Sequence, residues 1–409
     1  MLVFGTRPEA IKMAPVYAAL RALPETFETV CCVTGQHREM LDQVLDTFGI
    51  VPDIDLDLMR ERQDLTDITS AVLVGMRRAL REVRPALVLV HGDTTTSMAS
   101  ALAAFYEGIS VGHVEAGLRS HDIGTPFPEE FNRRVTGLVA AYHFAPTAEN
   151  KAHLLAEGRD PDAIVVTGNT VADALNDITA RIDSDRPLRA RIEDRLDLDL
   201  GFAWREKRFV VVTCHRRETL SAGLDDVCAS LSDLAAAFPG THFVVSVHRN
   251  PNVAVPIRTQ LGGRSNIHLV LPLRYDAFAH LLRHCHCVLT DSGGLQEEGP
   301  ILGKPVLVMR KVTERPEALA SGAVRLVGVD RAAIVAEVSR MLTDTVMYDS
   351  MARAPNPFGD GTAGRTIAAF LEREMQGQVA GGGKEEAQPF SPPSPRGRAR
   401  SEKRIQDSR

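Results

Sequence analysis

Between His113 and Arg134 the chain reads HVEAGLRSHDIGTPFPEEFNRR, a dense mixture of carboxylates and guanidiniums. Glu115, Asp122, Glu129 and Glu130 alternate with Arg119, Arg133 and Arg134 around a loop containing Gly124, Pro126 and Pro128. A core has no use for so many ionised groups, because each buried charge must be paired or neutralised. A site that moves a proton beside a bound anion needs this mixture, with carboxylates for the proton and arginines for the anion. Glu115 also follows an apolar run, residues 109–114, that reads as a buried strand. It would then stand at a strand's carboxyl end, where open α/β sheets bind ligands. The same charges also fit a solvated surface loop.

Four other segments end an apolar run and begin a helical one. GTRPEAIK (5–12) offers a helix N-terminus, whose free N–H groups attract anions, with Arg7 as a planar fork for phosphate. Lys12 lies a turn further on and, taken alone, reads as a solvated lysine. In HGDTTTS (91–97), Asp93 could face a ligand or cap the next helix. CHRRE (214–218) places His215 beside two arginines, suited to phosphate neutralisation or proton transfer. TDSGGLQEE (290–298) lets Gly293 and Gly294 approach a diphosphate, with Ser292 donating and Glu298 placed for ribose hydroxyls. Neither a GxGxxG fingerprint nor a Walker lysine is present in the right place, so NAD and ATP are weak candidates.

The elements that would position these groups form two series. Apolar runs at 2–4, 29–33, 86–91, 111–114, 142–145 and 164–167 alternate with helical stretches, and the pattern restarts at 209–213, 242–247, 267–271, 287–290, 305–309 and 323–326. That alternation predicts an α/β protein of two Rossmann-like, doubly wound parallel-sheet domains with a cleft between them. The expected divisions are 1–168, 169–355, a returning helix within 356–375, and a disordered, mildly basic tail at 376–409. Thr6, Pro8 and Glu9 announce a capped helix over 9–20. The run before Gly5 is short for a central strand. HCHC (284–287) and DIDLD (53–57) imitate metal motifs, but alternation with apolar residues favours strands.

The bulk properties agree. At 409 residues, two domains are the prior. A net charge of -6 argues against general nucleic-acid or membrane-surface binding. There is no signal-peptide pattern at the first residues, and six cysteines in this length do not suggest a disulfide scaffold, so a cytoplasmic protein is expected.

FGTRPEAIKMAP, TGQHREMLDQVL, HGDTTTS, HVEAGLR, PEEFNRR, TGNTVADAL, HRRE, SGGLQEE, GKPVLVMR and TERPEA, in that order, resemble the UDP-N-acetylglucosamine 2-epimerases, particularly the bacterial non-hydrolysing type. The likeness runs over about residues 2–372. It implies the GT-B arrangement and reversible epimerisation at C2 with no cofactor. UDP would be eliminated through a 2-acetamidoglucal and re-added, feeding surface polysaccharide synthesis. It makes Asp93, Glu115, Glu129 and His215 the catalytic candidates. Arg7, Lys12, Arg133, Phe278, Ser292, Gly293, Gly294, Glu298 and Arg315 become candidates for holding substrate. Gln36, His37, Glu39, Arg62, Gln63 and His248 match positions associated with a second, activating UDP-N-acetylglucosamine, and a homodimer is implied. Cys214 departs from the family's usual small residue before the histidine. A hydrolysing epimerase, a GT-B glycosyltransferase and a nucleotide-sugar sensor are the alternatives; the intact QHRE segment speaks against the first.

Overall fold

A computed structural model describes residues 1–36, 38–60, 63–214, 223–247 and 250–381. Two parallel sheets organise them. The first contains β1 (Leu2–Phe4), β2 (Cys31–Val33), β3 (Ile54–Asp55), β4 (Leu87–His91), β5 (Ser110–Val114), β6 (Tyr142–Ala145) and β7 (Ile164–Val166), ordered β3-β2-β1-β4-β5-β6-β7. The second contains β8 (Arg208–Thr213), β9 (Thr241–Ser246), β10 (Ile267–Val270), β11 (Cys287–Thr290), β12 (Val306–Val308) and β13 (Val324–Leu326), ordered β10-β9-β8-β11-β12-β13. Apolar, largely β-branched runs suit strands covered by helices on both faces, and Val210, Val212, Val288 and Leu289 are fully buried.

In each sheet the strand order reverses beside its first strand, between β1 and β4 and between β8 and β11. A doubly wound sheet opens a crevice at that switch point. The turns after these four strands carry Gly5 to Arg7, Gly92 and Asp93, Cys214, and Asp291 to Gly294. All four of the segments expected to bind ligands therefore follow switch-point strands. β1 is central although it has only three residues, and it pairs with β2 along its whole length.

Helix Arg7–Arg21 starts where the sequence places a cap. The Thr6 hydroxyl accepts from the Glu9 N–H, and the Glu9 carboxylate accepts from the N–H groups of Thr6 (2.8 Å) and Gly5 (3.0 Å). Glu9 also takes the hydroxyls of Thr94 and Ser97 at 2.6 and 2.7 Å, tying the turns after β1 and β4 together.

The imitation metal tracts have structural uses. Asp53 accepts from the Cys31 N–H at 2.7 Å and Asp55 pairs with Arg38 at 2.5 Å. His284 lies edge-on to Trp204, His286 stacks on Tyr348, and Cys285 and Cys287 are buried.

Helices Thr170–Ser184 and Arg186–Leu200 connect the two sheets, with Asp185 ending one and capping the other. The last helix, Ala363–Gly381, extends past the expected end at 375 into the segment expected to be disordered; residues 376–380 are still compatible with helix, and the glycine run starts only at Gly381. It lies against the first helix so closely that a Cβ on Gly364 would come within 2.8 Å of the Pro15 carbonyl oxygen. Phe370 meets Tyr142 and Phe144 edge-on, and Glu372 accepts from Thr26. The expected tail from 382 onward lies outside the described residues.

Candidate functional site

A cleft of about 530 Å³ opens between the two sheets. From the first sheet's side it receives Arg7, Lys12, Asp93, Glu115, Glu129 and Arg133; from the second, Phe278, Ser292, Gly293, Gly294, Glu298 and Arg315. Those twelve are every catalytic or substrate-holding candidate that falls among the described residues. His215 lies outside them; its neighbour Cys214 lines the cleft.

Glu115 is the hub on the first side. It follows β5 directly and takes a left-handed backbone, φ +64°, which is rare for a residue with a side chain and marks strain held by its surroundings. Its carboxylate contacts the Lys12 ammonium, accepts from Asn169 Nδ2 at 3.1 Å and faces His91 Nε2 at 3.4 Å. Burial by itself would raise the carboxyl, but Lys12, then His91 and Arg315, outweigh it and hold Glu115 well below the ordinary range. Lys12 also meets Glu297 Oε2, from the second sheet's side, at 2.8 Å. The solvated reading of Lys12 is overturned, since it is 6% exposed.

Asp93 pairs with Arg133 Nη2 at 2.7 Å. Burial raises its carboxyl above the usual range, with Glu115 and Glu129 adding to the rise and Arg133 opposing it. It does not cap the following helix. Thr94 does, its hydroxyl accepting from the Ser97 N–H at 3.0 Å, which leaves Asp93 turned to the cleft. Beneath this turn His113 donates from Nε2 to the Gly92 carbonyl at 2.7 Å, and burial pushes its imidazole down to about 3, so it is neutral. Glu129 opens helix Glu129–Val139, and its buried Oε2 has no hydrogen-bond partner among the described residues.

On the second side, a Cβ at Gly293 would stand 2.8 Å from Arg315 Nη1, so the glycine makes room for the guanidinium. Arg315 is held by Glu297 at 2.5 Å and Glu314 at 2.7 Å. Ser292 receives its own fixing bond, its N–H donating to Thr290 Oγ1 at 2.9 Å. The Glu298 carboxyl is pushed up to about 7, by burial first and then by the neighbouring Glu297 charge, against the pull of Arg7 and Lys12. Arg7 and Tyr275 lie in the same part of the cleft as Glu298.

Not every charge between 113 and 134 belongs to the site. Arg119 pairs with Glu157 at 2.6 Å, Arg134 with fully buried Glu130 at 2.8 Å, and Asp122 closes its own loop by accepting from the Gly124 N–H. The remaining three, Glu115, Glu129 and Arg133, reach the cleft. Residue-by-residue reading missed Glu297, Asn169, His91 and Glu314, all lying within quoted motifs; their position just after strands or beside Glu298 and Arg315 was the available signal.

Of the activator-site candidates, Gln36 and Gln63 line one small hollow, with Gln36 Oε1 accepting from Thr96 at 2.8 Å. Glu39 is exposed, on the helix (Arg38–Phe48) whose Met40 lines the cleft. His37, Arg62 and His248 lie outside the described residues.

The sequence profile of the family described as UDP-N-acetylglucosamine 2-epimerase matches residues 19–372. A UDP-N-acetylglucosamine 2-epimerase of Salmonella typhimurium is 51% identical over 372 residues, covering 91% of this chain and 98% of that protein. A probable UDP-N-acetylglucosamine 2-epimerase of Ralstonia solanacearum is 50% identical with the same coverage. The crystal structure of the Neisseria meningitidis enzyme bound to UDP-GlcNAc superposes with a TM-score of 0.85 at 43% identity, over 91% of this chain and 99% of that one. The paired sheets and their cleft are accordingly the GT-B arrangement. On this likeness, which spans both sheets and the cleft between them, the chain belongs to the UDP-N-acetylglucosamine 2-epimerase family.

Proposed function

We propose that the chain interconverts UDP-N-acetylglucosamine and UDP-N-acetylmannosamine reversibly, as a non-hydrolysing isomerase without a cofactor. In this reading a carboxylate removes the C2 proton as the C1–O bond breaks and UDP departs. UDP then re-adds to C1 of the 2-acetamidoglucal while a proton returns to C2 from the opposite face. The observation that carries it is the buried Lys12–Glu115 pair facing the Ser292, Gly293, Gly294 and Arg315 turn across one cleft. The C2 proton is weakly acidic, so its removal must coincide with loss of a stabilised leaving group. Fixed positive charge and backbone donors at the diphosphate supply that stabilisation.

Glu115, held ionised, and Asp93, raised, have unequal proton affinities, as a base and an acid on two faces of one carbon require. Glu129 and His215 complete the catalytic set. Arg7, Lys12, Arg133 and Arg315 would balance the anion, Ser292, Gly293 and Gly294 the diphosphate, Glu298 the ribose, and Phe278 the base.

A second UDP-N-acetylglucosamine would sit by Gln36, His37, Glu39, Arg62, Gln63 and His248, next to the cleft through Met40. A homodimer is supported by Val74, Phe105, Tyr106 and Leu138, exposed apolar side chains on adjoining helices. Six free, buried thiols fit a reducing cytoplasm, where the product would feed surface polysaccharide synthesis.

The test is incubation with UDP-N-acetylglucosamine in deuterated water, followed by NMR. The expected result is the UDP-manno isomer carrying deuterium at C2. Accumulation of free UDP in step with N-acetylmannosamine would replace this reading with hydrolysis, and absence of C2 exchange would remove it.

A further inference from the structure

A separate cavity, of about 370 Å³, lies where helix Arg38–Phe48, the two connecting helices and the start of helix Tyr275–His284 meet. It shares no lining residue with the catalytic cleft. Leu188, Arg191, Ile192 and Arg195 enter it at i, i+3, i+4 and i+7, one face of helix Arg186–Leu200. Ile178 and Arg181 do so from helix Thr170–Ser184, and Arg274 from the turn before Tyr275. The floor is apolar, with Ile178, Ile192 and Ala277 buried; the rim is basic.

The rim charges are unequally compensated. Arg274 pairs with Asp46 at 2.7 Å, and Arg195 with Asp199 at 2.7 Å. Arg181 spends Nη1 on the Thr47 carbonyl at 2.5 Å, and among the described residues neither it nor Arg191 has a carboxylate within ion-pair distance. Two guanidinium forks over an apolar floor match linked phosphates attached to a flat ring. The volume suits such a molecule.

We propose that this cavity is an effector site for a nucleoside di- or triphosphate, distinct from the catalytic cleft and coupled to it. Three elements reach both. The Arg38–Phe48 helix gives Met40 to the cleft and Asp46 and Thr47 to the cavity; the Thr170–Ser184 helix gives Val171 to one and Ile178 and Arg181 to the other. Tyr275 faces the cleft while the next residue, Asp276, faces the cavity. A ligand held there bridges both halves of the fold and the helices between them. It therefore biases how they close, and linkage requires that cleft occupancy and effector affinity alter each other equally.

The test is calorimetric titration of ADP into the full-length protein, free and with the cleft filled by UDP at ten times its dissociation constant. ADP should bind the UDP-filled protein, and Arg191→Glu should weaken that binding at least tenfold while UDP titrates the variant as it does the original. UDP affinity measured with ADP present should also shift in the original protein and not in the variant. Loss of ADP binding on filling the cleft, equal binding in Arg191→Glu, or an unchanged UDP affinity would each overturn the proposal. Arg191 is exposed and lies outside the lining of the catalytic cleft, so the variant is expected to keep its fold and basal turnover.

Discussion

Two turns face each other across the cleft and are built on opposite plans. After β5, Glu115 keeps a large charged side chain in a left-handed backbone where glycine is the easy choice. After β11, Gly293 gives up its side chain so that the Arg315 guanidinium can lie against the backbone. The first turn crowds carboxylates around one buried ammonium, and the second clears space for donors. The protonation states diverge too, with Glu115 held low and Glu298 pushed up to about 7. Among the described residues, the carboxylates proposed for proton transfer stand on the first sheet's side and the glycine turn proposed for the diphosphate on the second, so each can be disturbed on its own.

The sharpest way to separate the two turns is Glu115→Gln. Deuterium exchange at C2 should fall about a thousandfold, the scale of a lost general base, while UDP titration changes little. Normal exchange would take Glu115 out of the chemistry. Lys12→Met attacks the same side through its stability. Removing the ammonium leaves Glu115 and Glu297 buried without it, a cost of about 3–5 kcal/mol in urea unfolding at neutral pH. Because Lys12 depresses Glu115, that stabilisation is present above the ordinary carboxyl value of 4.5 and is lost as pH falls through the lower folded value. The gap between the two proteins should therefore narrow in acid; a constant gap would contradict the pairing.

Glu298→Gln tests the opposite turn with the opposite sign. The native carboxyl keeps its proton to about 7 against an ordinary 4.5, so between those values the folded state binds more protons than the unfolded. Stability of the original protein relative to the variant should decline over that interval, by on the order of 3 kcal/mol at most, and then level off. Parallel pH profiles would show Glu298 to be an ordinary carboxylate. Gly293→Ala should have the smallest effect. Its methyl meets an arginine already fixed by two carboxylates, and we expect UDP affinity to fall about tenfold, near 1.4 kcal/mol, with C2 exchange at saturation nearly unchanged.

Much of this arrangement is legible in the sequence for local reasons. Thr6 and Glu9 form a capping box three residues apart, and apolar runs ending in small or charged residues mark the strands and the turns at their ends. The partners are a different matter. The i,i+4 spacing of Glu130 and Arg134 on one helix is local, but nothing local turns Arg119 toward Glu157 or Arg133 toward Asp93. Adjacent helix positions diverge by about 100°, and the packing of neighbouring helices decides which one meets the cleft. Glu297 and Glu298 illustrate the point, one meeting Lys12 and Arg315 and the other lining the cleft. Asp93 and Thr94 are both competent caps, and only the fold shows that the threonine takes that task.

The helix that lies over Pro15 and receives Tyr142 and Phe144 against Phe370 has a consequence for how the chain is made. Its first residue, Ala363, comes about 200 residues after β7 ends at Val166. At synthesis rates of roughly 5–20 residues per second, the earliest sheet waits roughly 10–40 seconds on the ribosome with that face of its core uncovered. The second sheet, whose strands are complete by Leu326, can close before the first receives its last covering helix. The half translated first is the half finished last.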